Sequence, residues 1–434
     1  MNMTSYAASS NDTWDSVPFT KAFTFSRGLD IKKQDLSDHG LPVISYGQIH
    51  AKDNPGVELL DKHLRYIPEE FVREAQLGRA QLRAGDVVFA DTSEDVAGAG
   101  NLVRISEGQA VYAGYHTLVA RPTTGFSQRY MAYQMISDVF RRQLQREVQG
   151  VKVFSVTQRI FHRVTLLIPP PGEQQQIASF LDAKTAEIDG LISKLERERE
   201  LLERYRRQFA WSVLTTGCAT TAPTVDSGVD WIGHMPATWS TVPARRLFEV
   251  VKRIEPGFSD QVLSITQRGI VPKDLDSHFG QIAESYDAYQ RVDAGDFAMN
   301  AMDLLTGWVD LSKFSGVTSP DYRVFRLRTT IAADPRYFTH VLQMGYTRRI
   351  FYRFGQGVSN LGRWRLQPKV FLNMKFPLPP IEEQVAIANL IDEKYAELDS
   401  TVAGIDRQIE LLGRYRKQVI NDAVTGKVRV GGVA

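Results

Sequence analysis

The chain has 434 residues, 43% apolar and 24% charged, with a formal net charge of +2, a length that suits two to four domains rather than one. No apolar run approaches the ~20 residues needed to cross a bilayer, and the opening MNMTSYAASSNDTWDS lacks a basic-then-apolar leader, so a cytoplasmic location is the expectation. Cys218 is the single cysteine, which excludes an internal disulfide and any thiolate zinc cluster.

In chain order, residues 1–13 read as a tail and 14–168 as a first globular domain. Short β-like runs (DVVFA, HTLVARP, RVTLLIP) accompany one amphipathic helix near 127–148, with Tyr133, Ile136, Phe140 and Leu144 on one face. A long helix is expected over 169–217. Pro169 and Pro170 keep the chain extended before it, Glu173 suits the positive end of its dipole, and Gly217 supplies a left-handed stop. Residues 218–236 read as a polar linker and 237–377 as a second α+β domain, whose helix is expected to start at Asp334-Pro335. A second long helix follows over 378–427, then a tail over 428–434. Each long helix should run for roughly 40 residues, or about 60 Å.

The long helices are copies of one another. Glu173, Gln174, Ile177, Ala178, Asp182, Lys184, Glu187 and Asp189 recur 210 positions later as Glu383, Gln384, Ile387, Ala388, Asp392, Lys394, Glu397 and Asp399. Arg204-Tyr205-Arg206 and Gln208 recur as Arg414-Tyr415-Arg416 and Gln418, and roughly eighteen of some forty-three positions match without a gap. Both copies keep a seven-residue apolar spacing, through Leu181, Ile188, Leu195, Leu202 and Phe209 and through Ile391, Leu398, Ile405, Leu412 and Val419. Two matching series favour helices that coil around one another. The domains share fainter echoes: TWDSVPFTKAF returns as TWSTVPARRLF, Gly85-Asp86 as Gly295-Asp296, and QGV at Gln149 as QGV at Gln356. Between those markers they differ.

Near-neutral net charge hides two basic zones. One runs from Arg323 to Lys369, with Asp334 its sole acid and Tyr337, Tyr346, Phe351, Tyr352, Phe354 and Trp364 among the interleaved aromatic residues; the other holds Arg121, Arg129, Arg141, Arg142, Arg146, Lys152, Arg159 and Arg163. A solvated arginine face is the plain explanation for either zone alone. Two equivalent zones point instead to phosphate and base contact, because the guanidinium fork matches guanine edges and phosphates. The residues singled out for DNA are Arg141, Arg142, Lys152, Gln158 and Arg159 in the first half, and Arg348, Arg349, Arg353, Asn360, Arg363, Trp364 and Arg365 in the second.

Catalytic motifs are missing. The sequence has no phosphate-binding loop, H-E-x-x-H, C-x-x-C or G-x-S-x-G. Asp182-Ala-Lys184 and Asp392-Glu-Lys394 resemble half of a nuclease site but lie on heptad helices without a placed partner carboxylate. The proline pairs at Pro169 and Pro379 lack both the preceding amide or carboxylate and the following ring of an amino-methyltransferase motif. The scattered histidines read as surface or packing residues, and no metal site is expected.

Proline pairs followed by E-Q-x-x-I-A, a heptad helix ending in R-Y-R-x-Q, and SGVDWIGHMPATW opening the second half together resemble the specificity subunit of type I restriction–modification systems. The resemblance covers the whole chain. It implies two α+β target-recognition domains, separated by two long antiparallel coiled-coil helices in a pseudo-twofold internal repeat. It implies a non-catalytic bacterial defence protein that reads a bipartite, asymmetric double-stranded DNA target, one half-site per domain, with the helices as a ruler between them. Expected partners are two adenine-methyltransferase subunits and the restriction/translocase subunits. S-adenosylmethionine, ATP and Mg²⁺ would be used by those partners, with no cofactor bound by this chain. Identity between the copies marks Asp182, Glu187, Arg204, Tyr205, Asp392, Glu397, Arg414 and Tyr415 as candidates for docking the methyltransferase subunits. Two other readings remain: a self-contained DNA methyltransferase or nuclease with an unrecognised site, and a coiled-coil scaffold that binds protein.

Overall fold

The computed structural model describes residues 14–69, 78–123, 125–148, 150, 152–218, 222–254, 261–274, 285–357 and 364–430. The chain divides into two compact units, residues 1–195 with 407–434 and residues 196–406. The division cuts both long helices, Pro171–Thr216 and Ile381–Val424, so each unit holds one α+β domain, the first part of one long helix and the last part of the other.

In the first unit, strand Asp15–Pro18 pairs antiparallel with Thr165–Ile168, which closes the domain where the long helix departs. Between them lies a four-stranded antiparallel sheet in the order Phe23–Arg27, Thr117–Pro122, Val87–Ala90, Leu102–Arg104. A three-stranded sheet, Arg65–Ile67, Leu41–Ile44 and Tyr112–Ala113, stands beside it, its last pairing parallel. All four residues of Val87–Ala90 are buried, as a strand covered on both faces requires. Phe19 is the hub of the core, 4.5 Å from Phe23 and 4.7 Å from Phe161 between ring centres. Ile177, Ala178 and Leu181 of one long helix and Ile420, Ala423 and Val424 of the other complete that core.

The second unit repeats the plan. Strand Ser240–Pro243 pairs with Lys375–Leu378, and the main sheet runs Phe248–Val250, Arg323–Leu327, Phe297–Met299, Val309–Leu311. Phe248 takes the place of Phe19's neighbourhood, with Phe325 at 5.0 Å and Phe338 at 5.7 Å. Ile387, Ala388 and Ile391 join Ala210, Val213 and Leu214 in its core. The long helices therefore serve as core as well as coil.

The helix ends follow the sequence signals. Pro170 carbonyl accepts the N–H groups of Glu173 and Gln174 at 2.9 and 3.0 Å, and Pro380 carbonyl those of Glu383 and Gln384 at 3.0 and 2.9 Å. Gly217 and Gly426 sit at φ of +77° and +70°. A Cβ on Gly217 would meet a Glu383 carboxylate oxygen at 2.7 Å, so glycine is required there twice over. Asp334 caps helix Pro335–Thr347 by accepting from the N–H groups of Arg336 and Tyr337 at 2.9 and 3.0 Å.

Two segments differ from expectation. The helix expected over 127–148 is two, Gln128–Ile136 and Asp138–Glu147, because Ser137 takes an extended conformation (ψ 151°) and its hydroxyl caps the second at the N–H of Phe140. The stretch read as linker contains an antiparallel pair, Thr224–Asp226 with His234–Pro236. Ile232 and Met235 beside it are buried in the second unit's core, so apolar anchors outweigh the polar composition. Among the described residues no helix is long and apolar enough to cross a membrane.

Candidate nucleic-acid interface

The structure sorts the basic zones by what each side chain already holds. Arg121 pairs with the buried carboxylate of Asp86 at 2.7 Å, Arg163 with Glu147 at 2.6 Å and Arg326 with Glu249 at 3.1 Å. Arg323 is 7% exposed, donates to the Leu366 carbonyl at 3.0 Å and lies over the Phe371 ring; burial pushes its guanidinium down to about 10. Arg141 turns inward to the Ala97 carbonyl and Asn101, and Arg348 donates to Gln208 at 2.6 Å while stacking on Trp211. Arg142, Lys152, Arg159, Arg349 and Arg353 are exposed, and none makes an ion pair among the described residues. Trp364 and Arg365 form a two-residue strand against Gln356-Gly357, with Trp364 packed 4.9 Å from Tyr352. Asn360 and Arg363 lie outside the described residues.

A cleft of about 360 Å³ in the first unit collects residues the sequence reading passed over. Arg27, Asp91, His116, Ser155, Thr157 and Gln158 line it, Gln158 alone of these having been singled out. His116 has φ +54°, a left-handed conformation rare outside glycine, and its ring nitrogen Nδ1 lies 3.2 Å from the Asp91 carboxylate. That contact fixes the imidazole with Nε2 free, beside a guanidinium, hydroxyls and an amide. Such a mixed set of donors and acceptors can read base edges. Strand pairing brings Lys252, Ala301 and Tyr322 to the corresponding places of the second unit, in place of Arg27, Asp91 and Thr117. Asp91 has given way to Ala301 and Thr117 to Tyr322, whereas Arg27 keeps a cationic counterpart in Lys252. No local motif announces His116, since its backbone strain appears only in three dimensions.

Where the domains meet the long helices, the two units agree almost atom for atom. Trp14 donates its indole N–H to Glu173 at 3.1 Å and Trp239 to Glu383 at 2.8 Å. Gln174 donates to the Pro169 carbonyl and accepts from the Ser127 N–H; Gln384 donates to Pro379 and accepts from Asp334. Asp182 holds Arg129 and the Tyr133 hydroxyl, both at 2.7 Å. Asp392 holds His340 at 2.8 Å and Arg336 at 3.2 Å, and the hydrogen bond from His340 keeps its carboxyl below the usual range. Between the helices, Arg199 bonds Asp406 and Arg206 bonds Asp399, one index rising as the other falls, which is antiparallel pairing. Arg416 and Asp189, the repeat mates of Arg206 and Asp399, form a two-point pair in the first unit at 2.9 and 3.2 Å.

Of the residues expected to dock partners, Asp182 and Asp392 are thus engaged within their own units. Glu187 and Glu397 each pair with a lysine one turn earlier at 2.7 Å, and Arg414 with Glu410 at 2.9 Å. Arg204 is exposed, and Tyr205 and Tyr415 leave 47% and 50% of their surface in solvent.

Residues 20–198 match the model of the type I restriction modification DNA specificity domain. The StySPI specificity subunit of Salmonella potsdam is 21% identical over 428 residues, covering 96% of this chain and 89% of that one. The EcoKI specificity subunit of Escherichia coli K12 is 22% identical over 443 residues, with the same coverage. Residues 20–198 thus match a type I restriction modification DNA specificity domain, and 96% of the chain aligns with specificity subunits. A chain from the solved structure on complex assembly and conformational transition of the type I R-M system shares the fold. Its TM-score is 0.68 at 15% identity, over 96% of this chain and 99% of that chain. Within such a system the specificity subunit is the non-catalytic component.

Proposed function

We propose that this chain, as a specificity subunit, reads a bipartite, asymmetric DNA sequence, one half-site per α+β domain, while its repeated helices hold two adenine-methyltransferase subunits and, with them, the restriction/translocase subunits. The observation that carries the reading is the contrast within the repeat. The tryptophan and glutamine attachments match in both units, whereas the Asp91–His116 pair of the cleft is replaced by Ala301 and Asp321 in the second. Shared parts suit a partner met twice, and divergent parts suit two different half-sites. The free cations Arg142, Lys152, Arg159, Arg349 and Arg353 would supply sequence-independent phosphate contacts, and the cleft side chains would supply base contacts. S-adenosylmethionine, ATP and Mg²⁺ belong, on this reading, to the partner subunits.

The test is reconstitution. The purified chain with labelled S-adenosylmethionine should transfer no methyl group to DNA and should leave it uncut. Adding the methyltransferase subunit should produce adenine methylation at a two-part sequence. Turnover by the rigorously purified single chain would refute the assignment of roles.

A further inference from the structure

Two cavities occupy the same place in the internal repeat, one in each unit. The first unit's, about 380 Å³, opens between the loop at Gly100-Asn101, the helix start at Ser137, and Arg416, Lys417 and Ile420 of a long helix. The second unit's, about 580 Å³, opens between Gly307-Trp308, Met344, and Arg206, Arg207 and Ala210. A shift of 210 residues lays Arg206, Arg207 and Ala210 on Arg416, Lys417 and Ile420. The sheets agree, since Gly100-Asn101 and Gly307-Trp308 each lead into the edge strand that pairs with Phe89 or Met299.

Within each cavity the two adjacent bases differ in their commitments. The first is engaged: Arg416 with Asp189, and Arg206 with Asp399 while lying 4.0 Å over the Tyr395 ring. The second is free: Lys417 and Arg207 are exposed and make no hydrogen bond or ion pair among the described residues. Another unpaired cation stands at each rim, Lys52 in one and Arg349 in the other, against a single rim acid, Asp138 or Glu203. Buried apolar side chains underlie each, Ile49 and Ile420 in the first and Met344 beside Trp308 in the second, while the open lining is mainly polar.

We infer that each cavity receives one short acidic segment of a protein chain that binds this subunit twice. A carboxylate of that segment pairs with Lys417 or Arg207, and a neighbouring apolar side chain fills the floor. The inference rests on the docking reading above and gives it a surface. A duplex presents phosphates on a convex rod and would use only the rim cations; a concave site takes protein side chains into its interior. Retention in both units also separates these cavities from the cleft at His116, whose Asp91–His116 pair the second unit replaces with Ala301 and Asp321.

The experiment uses the full chain with the methyltransferase subunit of its system and reads stoichiometry by native mass spectrometry. Lys417→Glu should leave one partner bound instead of two, with the affected site weakened at least about tenfold, and Arg207→Glu should do the same at the other site. The double variant should bind neither. Neither side chain makes a hydrogen bond or ion pair among the described residues, so thermal melting and DNA retention should match the unmodified chain. Two partners bound to the double variant at unaltered affinity would overturn the inference. So would a loss of DNA binding with a shallower salt dependence, which would assign the cavities to phosphates. Failure of the unmodified chain to bind the methyltransferase subunit would remove the docking reading itself, and the cavity assignment with it.

Discussion

The helix attachments and the sheet edges of this molecule share an ancestry within one chain yet have taken opposite courses. At the attachments, a tryptophan, a glutamate and a glutamine make the same bonds in both units, and an aspartate holds an arginine in each. At the sheet edges, Asp91 faces His116 in the first unit, while alanine and aspartate hold the matching positions, Ala301 and Asp321, of the second. The difference shows what constrains each region. A glutamine such as Gln384, fully buried and bridging two backbone groups, has no tolerable substitute, because any loss strands a buried carbonyl and a buried N–H. A rim residue facing solvent carries no such penalty and is free to follow its ligand.

The largest effect that could break this contrast lies at those glutamines. Gln384→Ala should destabilise the second unit by about 3 kcal/mol, since it leaves the Pro379 carbonyl and the Asp334 N–H without partners. Gln174→Ala should do the same to the first unit through Pro169 and Ser127. Hydrogen exchange resolved along the chain would check both, with faster exchange confined to the unit that carries the change. Equal loosening of both units by either substitution would mean that the attachments do not act locally.

A smaller effect would sharpen the contrast, because the attachments differ in one group: His340 stands where the first unit has Tyr133. Asp392 has its carboxyl depressed in the folded state, first by the hydrogen bond from His340. Its contribution is therefore complete above the ordinary carboxylate pKa and disappears as pH falls through the depressed value. Below about pH 4 the second attachment should loosen, by under about 1 kcal/mol given the partial exposure of Asp392. Asp392→Asn should abolish that acid response in exchange measurements around residues 384–395. An unchanged response would place the acid sensitivity elsewhere.

Much of the architecture was legible in the sequence because repeats, proline pairs, glycine stops and heptads act locally and leave periodic marks. The long helices, the Asp334 cap and the division of each half into domain and helix all rest on such marks. The break at Ser137 was not legible, since a serine inside an amphipathic stretch chooses between capping and continuing according to tertiary packing. The site was less legible than the fold. Composition counts an arginine as free charge, but Arg121, Arg141 and Arg323 are held by groups distant in the chain, and only three dimensions separate them from Arg142 or Arg349. The converse failure is His116, whose importance lies in a backbone angle and a carboxylate 25 residues away.

The claim that divergent surfaces read separate half-sites meets its most direct test in a domain exchange. The pairing of Asp15–Pro18 with Thr165–Ile168 brings both ends of the first α+β domain together, so residues 14–168 can be replaced by the equivalent part of the StySPI relative through two adjacent junctions. The exchanged chain, expressed with the methyltransferase subunit, would be read out by sequencing the methylated adenines of the host genome. The account predicts a target with one half-site changed and the other half-site retained, at an unaltered gap. A change in both half-sites, or retention of the original sequence in full, would contradict it.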